Sequence, residues 1–430
     1  MTATIRIAAV QLHAHDREDF ARSLDAIAAT ARRAAENADL VVLPEATFPA
    51  YVLGDARIDD SAIEGALDRL REIARTSRTV IVAGAALHDG IALRNAAIVI
   101  DADGTTAGRA DKIFLWHFDR SWFEAGQRIE PVMTTLGKLG VLVCADGRIP
   151  TIARALVDRG AALLVMPTAW VTSGRNPDAL ENVQADLLAR VRARENGVPL
   201  VAANKCGSER MMVAYCGKSQ IVDAHGNLLA IAGQHDAEIV AASVTIGTTR
   251  PFRSTLDTAV APVRRAVSPR RIAICDDPFP ADLAERMAVL GADCAMSPDG
   301  QWHASSSDPF PCARVDETTA LDPAGIVGYQ RAGYGCVAWS AVTDDDWIEP
   351  FARARALELR MYAVVFDTHA RRTFAVDPDG TVIAGTFDDY RLATFTFDPR
   401  ETLETTVAPG TDVAEGIEST AAILENFLVT

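Results

Sequence analysis

The sequence predicts an α/β layered fold, and three observations carry that prediction. From Thr4 to about Val244, short apolar runs of the kind buried in a layered sheet alternate with longer amphipathic stretches. Two stretches rich in residues that tolerate positive φ, Asp101-Ala102-Asp103-Gly104 and Asp223-Ala224-His225-Gly226-Asn227, mark hairpin turns between such runs. A chain of 430 residues also exceeds one ordinary core, so two domains are expected.

The elements follow in order. The run Ile5-Arg6-Ile7-Ala8-Ala9-Val10 reads as a strand, and the amphipathic stretch 18–35 as a helix. The apolar run 40–43 reads as a strand ending at Pro44, and 63–76 as a helix. Strands at 80–85 and 96–100 lead into the first hairpin turn. Residues 140–143 form a strand bounded by Gly140 and by a polar stretch running to Pro150, after which 152–158 is helical. Strands at 162–166 and 200–203 flank a helix at 177–195, and strands at 220–222 and 239–244 flank the second hairpin turn.

Composition shifts at 248–270, where scattered Arg and Pro interrupt any period, so residues 1–250 are expected to form one domain and 251–270 a linker. Residues 271–430 then form a second, smaller α/β domain. Its strands are expected at 271–275, 293–296, 335–339, 362–366, 373–376 and 392–397, with helices at 281–290 and 348–360. This part reads as a worn copy of the first. The stretch 189–203 is similar to 352–365, and each is followed by a strand and an Asp-Gly turn, Ile221 to Gly226 and Ala375 to Gly380. Upstream of that match two registers are open, pairing 271–275 with the strand at Ile5 or with the strand before Cys144. The first is preferred, and it sets Ser297-Pro298-Asp299-Gly300 against Leu43-Pro44-Glu45-Ala46.

A net charge of −16 argues against a nucleic-acid or membrane-surface partner, and no run is long enough to span a bilayer. The seven cysteines are odd in number and lack CxxC spacing, which argues against a disulfide framework and a zinc site. The eight histidines are scattered, so neither metal nor cofactor is expected. The first residues enter a strand pattern without a basic leader, and a cytoplasmic protein with free thiols is expected.

Three residues carry chemistry. Cys144 ends the run Leu139-Gly140-Val141-Leu142-Val143, where a strand-end thiol in an open α/β sheet is held rigidly at the ligand-binding edge. Glu45 closes its own apolar strand in the same way. Lys112 lies in Asp111-Lys112-Ile113-Phe114-Leu115-Trp116-His117 and is one of only four lysines, among 42 basic residues, with Lys205 as the alternative. A thiol with a pKa near ~8.5 needs a base or a cation to become nucleophilic at neutral pH. A carboxylate and an ammonium supply both.

These segments resemble the nitrilase superfamily of carbon–nitrogen hydrolases, whose Glu–Lys–Cys triad comes in this chain order. The likeness rests on the apolar run ending Pro44-Glu45, on Lys112-Ile113 followed by Trp122-Phe123-Glu124-Ala125-Gly126, and on Gly140 to Cys144-Ala145-Asp146 with Arg148-Ile149-Pro150. It continues through Gly160 to Trp170 and Ala193 to Gly197, and covers about 4–245. The resemblance implies an α-β-β-α sandwich followed by a second, degenerate copy of that fold. It implies Glu45 as base, Lys112 and the Ala145 N–H as oxyanion donors, Cys144 as nucleophile, and Glu124 as the second glutamate that orients the lysine. Asp146 and Arg148 are expected to brace the turn as an ion pair, and Glu195 to hold helix to loop. Trp116, His117, Trp122, Arg148, Thr168 and Trp170 are the candidates for the pocket rim.

The implied reaction is hydrolysis of a small carboxamide through a thioester. Ala145-Asp146 after the nucleophile is closer to amidases than the Trp-Glu of true nitrilases, and Gly147 interrupts the paired arginines of N-carbamoyl amino acid hydrolases. N-carbamoyl-amine hydrolysis and nitrile hydrolysis are the alternative activities, and a non-enzymatic scaffold the alternative class. No lysine follows Lys218, so the second domain lacks a complete triad. A homodimer, or a pseudo-dimer of the two domains, is the expected assembly.

Overall fold

The computed structural model describes residues 3–55, 57–247, 260–263, 268–304, 310–343 and 345–426. The chain divides into two compact units, 1–252 with 408–411 and 415–430, and 253–407 with 412–414. Most of the expected linker lies outside the described residues. The chain end, which the sequence assigned wholly to the second domain, belongs largely to the first unit.

The first unit contains β1 (Ala3–His13), α1 (Phe20–Ala35), β2 (Leu40–Val42), α2 (Asp60–Ser77), β3 (Val80–Asp89), β4 (Ala92–Ile100) and β5 (Thr106–Asp111). It continues with β6 (Val132–Thr134), β7 (Gly137–Val141), α3 (Pro150–Asp158), β8 (Leu163–Pro167), α4 (Ala189–Asn196) and β9 (Leu200–Ala203). Then come β10 (Lys205–Glu209), β11 (Val213–Cys216), β12 (Gln220–Val222), β13 (Leu228–Ile231) and β14 (Glu238–Ile246). One sheet runs β11-β10-β1-β2-β3-β4-β5 with β14 also paired to β1, and the other runs β13-β12-β9-β8-β7-β6.

Strand alternation sorts the side chains into layers. Ile7, Ala9, Val42, Val82 and Val99 of the first sheet meet Leu139, Val141, Leu163, Val165 and Val201 of the second in one buried cluster. The opposite face of the first sheet, with Ala8, Val10 and Ile81, packs on Ile27 and Ala31 of α1 and Leu67 and Leu70 of α2. Helices α3 and α4 pack on β7, β9 and β12 of the second sheet. The result is helix, sheet, sheet, helix, which is why the central strands read as continuous apolar runs. Each fully buried aliphatic side chain contributes roughly 1.5–3 kcal/mol.

Two expectations shift. The helix predicted over 177–195 starts only at Gln184, where the Asn182 side chain accepts from the Gln184 amide at 2.9 Å, and it runs as a π-helical segment over Gln184–Leu188 before becoming α-helical over Ala189–Asn196. Strands β5, β6, β10, β11 and β13 carry Gly, charges or mixed exposure and form by pairing to their neighbours, which local sequence does not announce.

The second unit contains β15 (Arg270–Cys275), α5 (Leu283–Leu290), β16 (Cys294–Met296), β17 (Trp302–Ala304), β18 (Cys312–Arg314), α6 (Glu317–Leu321) and α7 (Pro323–Arg331). It ends its two sheets with β19 (Cys336–Ala341), α8 (Ile348–Leu359), β20 (Tyr362–Asp367), β21 (Arg372–Val376), β22 (Val382–Gly385) and β23 (Leu392–Phe397). The sheets run β17-β16-β15-β23 and β18-β19-β20-β21-β22, and Ile272, Ile274, Val364, Phe366 and Phe395 form their shared core. Among the described residues no helix is long and apolar enough to cross a membrane.

Candidate active site

Glu45, Lys112 and Cys144 come from three different strand ends. Glu45 follows β2 through Leu43 and Pro44, with its amide donating to the Thr168 carbonyl of the other sheet at 3.3 Å. The turn lies directly on β3, where Gly84 N–H donates to Pro44 O at 3.1 Å. A Cβ at Gly84 would sit 2.5 Å from Glu45 Cα, so only glycine allows this approach.

Lys112 follows β5 and is anchored by its amide to Asn95 O at 2.8 Å. Its Nζ donates to Glu45 Oε1 at 2.7 Å and to Asp119 Oδ2 at 2.6 Å, and all three side chains are fully buried. Asn95 Nδ2 donates to the same Glu45 Oε1 at 2.7 Å, while among the described residues Oε2 has no hydrogen-bond partner. The Tyr51 ring lies 5.7 Å from the Lys112 ammonium and closes the site from one side.

Cys144 opens the short turn Cys144–Arg148 with φ +48, a backbone conformation that L residues rarely adopt and that aims the side chain away from the strand. Asp146 fixes that turn. It accepts from Val143 N at 2.9 Å and from Ile113 N and Phe114 N at 3.0 and 2.8 Å, so one carboxylate ties the nucleophile turn to the residues after Lys112. Burial pushes the Asp146 carboxyl up to about 7, against the pull of the Phe114 and Val143 amides. Arg192 Nε holds Gly147 O at 2.9 Å, and Glu195 pairs with the Arg192 guanidinium, so Glu195 braces this turn from α4.

Charge balance sets the resting protonation. Burial, and then the Glu45 charge, pushes the Cys144 thiol well up, while Lys112, Thr168 and the Ala169 backbone pull it down. The thiol therefore rests protonated beside a carboxylate. Burial opposes the Lys112 ammonium, but Asp119, Glu45 and Cys144 together hold its pKa well above the usual value. Lys112 remains a cation.

The other expected residues fall in several places. Glu124 is not in the cluster: its side chain is 65% exposed and lies 3.9 Å from Arg94. Asp119 takes the lysine-orienting position, because the turn His117–Ser121 folds its carboxylate inward and carries Glu124 out to the surface. Thr168 is fully buried against the thiol, and Ala145 is buried next to it. Trp116, His117 and Trp122 are half-buried on the loop after Lys112, and the Arg148 guanidinium stacks over the Trp116 ring at 4.5 Å. Trp170 is 1% exposed and belongs to the core rather than a rim. Lys205 is also buried, but it donates to Ala46 O at 3.1 Å and pairs with Glu209 at 3.2 Å, bracing the Glu45 turn from behind.

Sequence reasoning missed Asn95, Asp119 and Tyr51. Asn95 left a signal, an amide that follows Arg94 and heads the apolar run Ala96–Ile100 of β4, whereas Asp119 lay among loop residues with nothing to mark it.

Comparison with known proteins fits this geometry. The sequence profile of the carbon–nitrogen hydrolase family matches residues 6–254. A protein from Pseudomonas protegens described as the hydrolase in the pqqF 5' region is 35% identical over 215 residues, which is 48% of this chain and 72% of that protein. An (R)-stereoselective amidase from a Pseudomonas species is 29% identical over 242 residues, 55% of this chain and 84% of its own. Among solved structures, a Glu-to-Gln, Cys-to-Ala double mutant of the amidase from Nesterenkonia sp. AN1 in complex with acrylamide superposes with a TM-score of 0.51 at 29% identity, over 56% of this chain and 90% of that one.

Proposed function

The chain belongs to the carbon–nitrogen hydrolase family, and on that premise we propose that it hydrolyses a small carboxamide to a carboxylate and ammonia through a thioester on Cys144. The observation that carries this reading is the buried Glu45–Lys112 pair beside the Cys144 thiol: Lys112 Nζ holds Glu45 Oε1 at 2.7 Å, while among the described residues Oε2 has no hydrogen-bond partner. A carboxylate oxygen not taken up by another donor is free to accept a proton from a neighbouring group.

Glu45 Oε2 takes the Cys144 proton as Sγ attacks the amide carbon. Negative charge then develops on the former carbonyl oxygen, where the Lys112 ammonium and the Ala145 N–H meet it, each such donor being worth about 3 kcal/mol. Glu45 returns the proton to the departing nitrogen, the C–N bond breaks and ammonia leaves. A water that loses its proton to Glu45 attacks the thioester, releasing the carboxylate and the thiol. Asp119 and Asn95 keep Lys112 and Glu45 aimed throughout. The amidase among the relatives and the acrylamide complex among the structures support an amide as substrate. Ammonia release from a panel of small amides, ureas and nitriles tests it, with Cys144→Ala as control. Ammonia from amides alone, lost in the variant, is the expected result. Carbonate appearing with ammonia assigns an N-carbamoyl amine instead, and no turnover with a thiol that iodoacetamide does not label assigns a scaffold.

For the second unit we propose a degenerate, catalytically silent copy of the same fold. Strand pairing supports this: β15 lies between parallel β16 and antiparallel β23, as β1 lies between parallel β2 and antiparallel β14. The order β18-β19-β20-β21-β22 likewise repeats β7-β8-β9-β12-β13 in strand direction. With Ile272 set on Ile7, Asp299 falls opposite Glu45, and it is exposed. With Cys312 set on Leu139, Glu317 falls opposite Cys144, where it opens α6.

A further inference from the structure

The loop that carries Asp119 is gripped by the far end of the chain. Residues 408–411 and 415–430 belong to the first unit although the family match ends at residue 254. The Thr411 hydroxyl, fully buried, accepts from the His117 amide at 2.5 Å. His117 has φ +48, a conformation that persists only where its surroundings enforce it. Three residues further on, Arg120 pairs with Glu415 at 3.1 Å. Gly416 lies flat against Phe114, such that a Cβ there would sit 2.5 Å from the ring and 3.1 Å from Ile149 Cδ1. Beside these contacts lies a cavity of about 340 Å³, lined by Phe114, Leu115 and Gln127 with Glu415, Ser419 and Ile423.

We infer that this returning segment is a strap that holds the 116–121 turn in its strained form and thereby, through Asp119, aims Lys112 at the oxyanion, with Thr411 as the positioning residue. The chain of contacts is short. Asp119 Oδ2 accepts from both Trp116 N at 2.8 Å and Lys112 Nζ at 2.6 Å, so a turn that relaxes at His117 moves the carboxylate that fixes the lysine. Without the Thr411 oxygen the His117 N–H is left without this acceptor, and the strain at φ +48 has less to oppose it.

The inference rests on the catalytic reading above, and the test separates the two. Thr411→Val keeps the shape and removes the acceptor; Thr411→Ser keeps the acceptor. Ammonia release is measured for both beside wild type and Cys144→Ala, with circular dichroism to establish folding. Thr411→Val is expected to lower kcat on the order of tenfold with KM nearly unchanged, and Thr411→Ser to restore it. Wild-type kcat in folded Thr411→Val, or an equal loss in Thr411→Ser, overturns the strap while leaving the catalytic reading intact. Persistent turnover in Cys144→Ala overturns both. If Thr411→Val does not fold, Gly416→Ala decides, since it keeps every hydrogen bond of the strap but pushes on Phe114. A several-fold fall in kcat supports the strap, and an unchanged kcat overturns it.

Discussion

A single methyl group at Gly84 should disable the enzyme without unfolding it. The Cβ of Gly84→Ala would lie 2.4 Å from Ala46 N, 2.5 Å from Glu45 Cα and 2.6 Å from Pro44 O, all of them backbone atoms. Even the shortest tolerated contact, 3.0 Å, requires Ala46 N to move about 0.6 Å. The strand cannot yield instead, because Gly84 is held by Pro44 and Phe48 on one side and by the β4 ladder on the other. The Glu45 turn therefore moves, and with it the carboxylate that bonds Lys112 at 2.7 Å and must reach the thiol. Catalytic groups tolerate about 0.5 Å of displacement, and about 1 Å costs roughly 100-fold, so a loss of about 10- to 100-fold in kcat is expected. Overpacking should cost about 1–3 kcal/mol of stability, less than the roughly 5–15 kcal/mol that typically holds a folded domain. The assay is ammonia release at saturating amide, paired with a thermal melt. A folded Gly84→Ala enzyme with wild-type kcat would refute the claim that close approach at this glycine sets the position of Glu45.

Three further outcomes follow from the same geometry. Asp119→Asn should lower kcat by roughly 10- to 100-fold because Lys112 loses its second carboxylate, whereas Glu124→Gln should stay within about twofold of wild type because that side chain is largely solvated; steady-state kinetics of the two variants decides between them. Because burial and Glu45 raise the Cys144 thiol pKa, the thiolate fraction of the free enzyme grows with pH, and iodoacetamide labelling of Cys144 should quicken steadily from about pH 6 to 9. A plateau near neutrality would mean a depressed thiol pKa and contradict that reading. Cys275, at the end of β15, and Cys312, at the start of β18, are the strand-end thiols of the second unit that could stand in for a nucleophile; Cys275→Ala and Cys312→Ala should each leave turnover intact, and a large loss in either variant with the fold retained would end the silent-copy proposal.

Much of the site was legible because its chemistry sits at strand ends. The apolar runs before Glu45 and Cys144 announce strands that are buried on both faces, and a polar residue at the end of such a run stands out. The sparse use of lysine singled out Lys112 in the same way. Glu124 misled because spacing along a loop does not state which side chain turns inward, and one short turn at His117–Ser121 buries Asp119 instead.

The sequence by itself determined the α/β layering, the order of Glu45, Lys112 and Cys144 along the chain, and the lack of a second complete set. Hydrophobic period and residue type are local properties, and both survive in the linear text. Tertiary structure alone decided which carboxylate orients Lys112, that Asp146 ties the nucleophile turn to the lysine segment, and that Thr411 meets His117 nearly three hundred residues earlier. Such contacts depend on where separate turns meet in space, and no periodicity in the chain encodes that meeting.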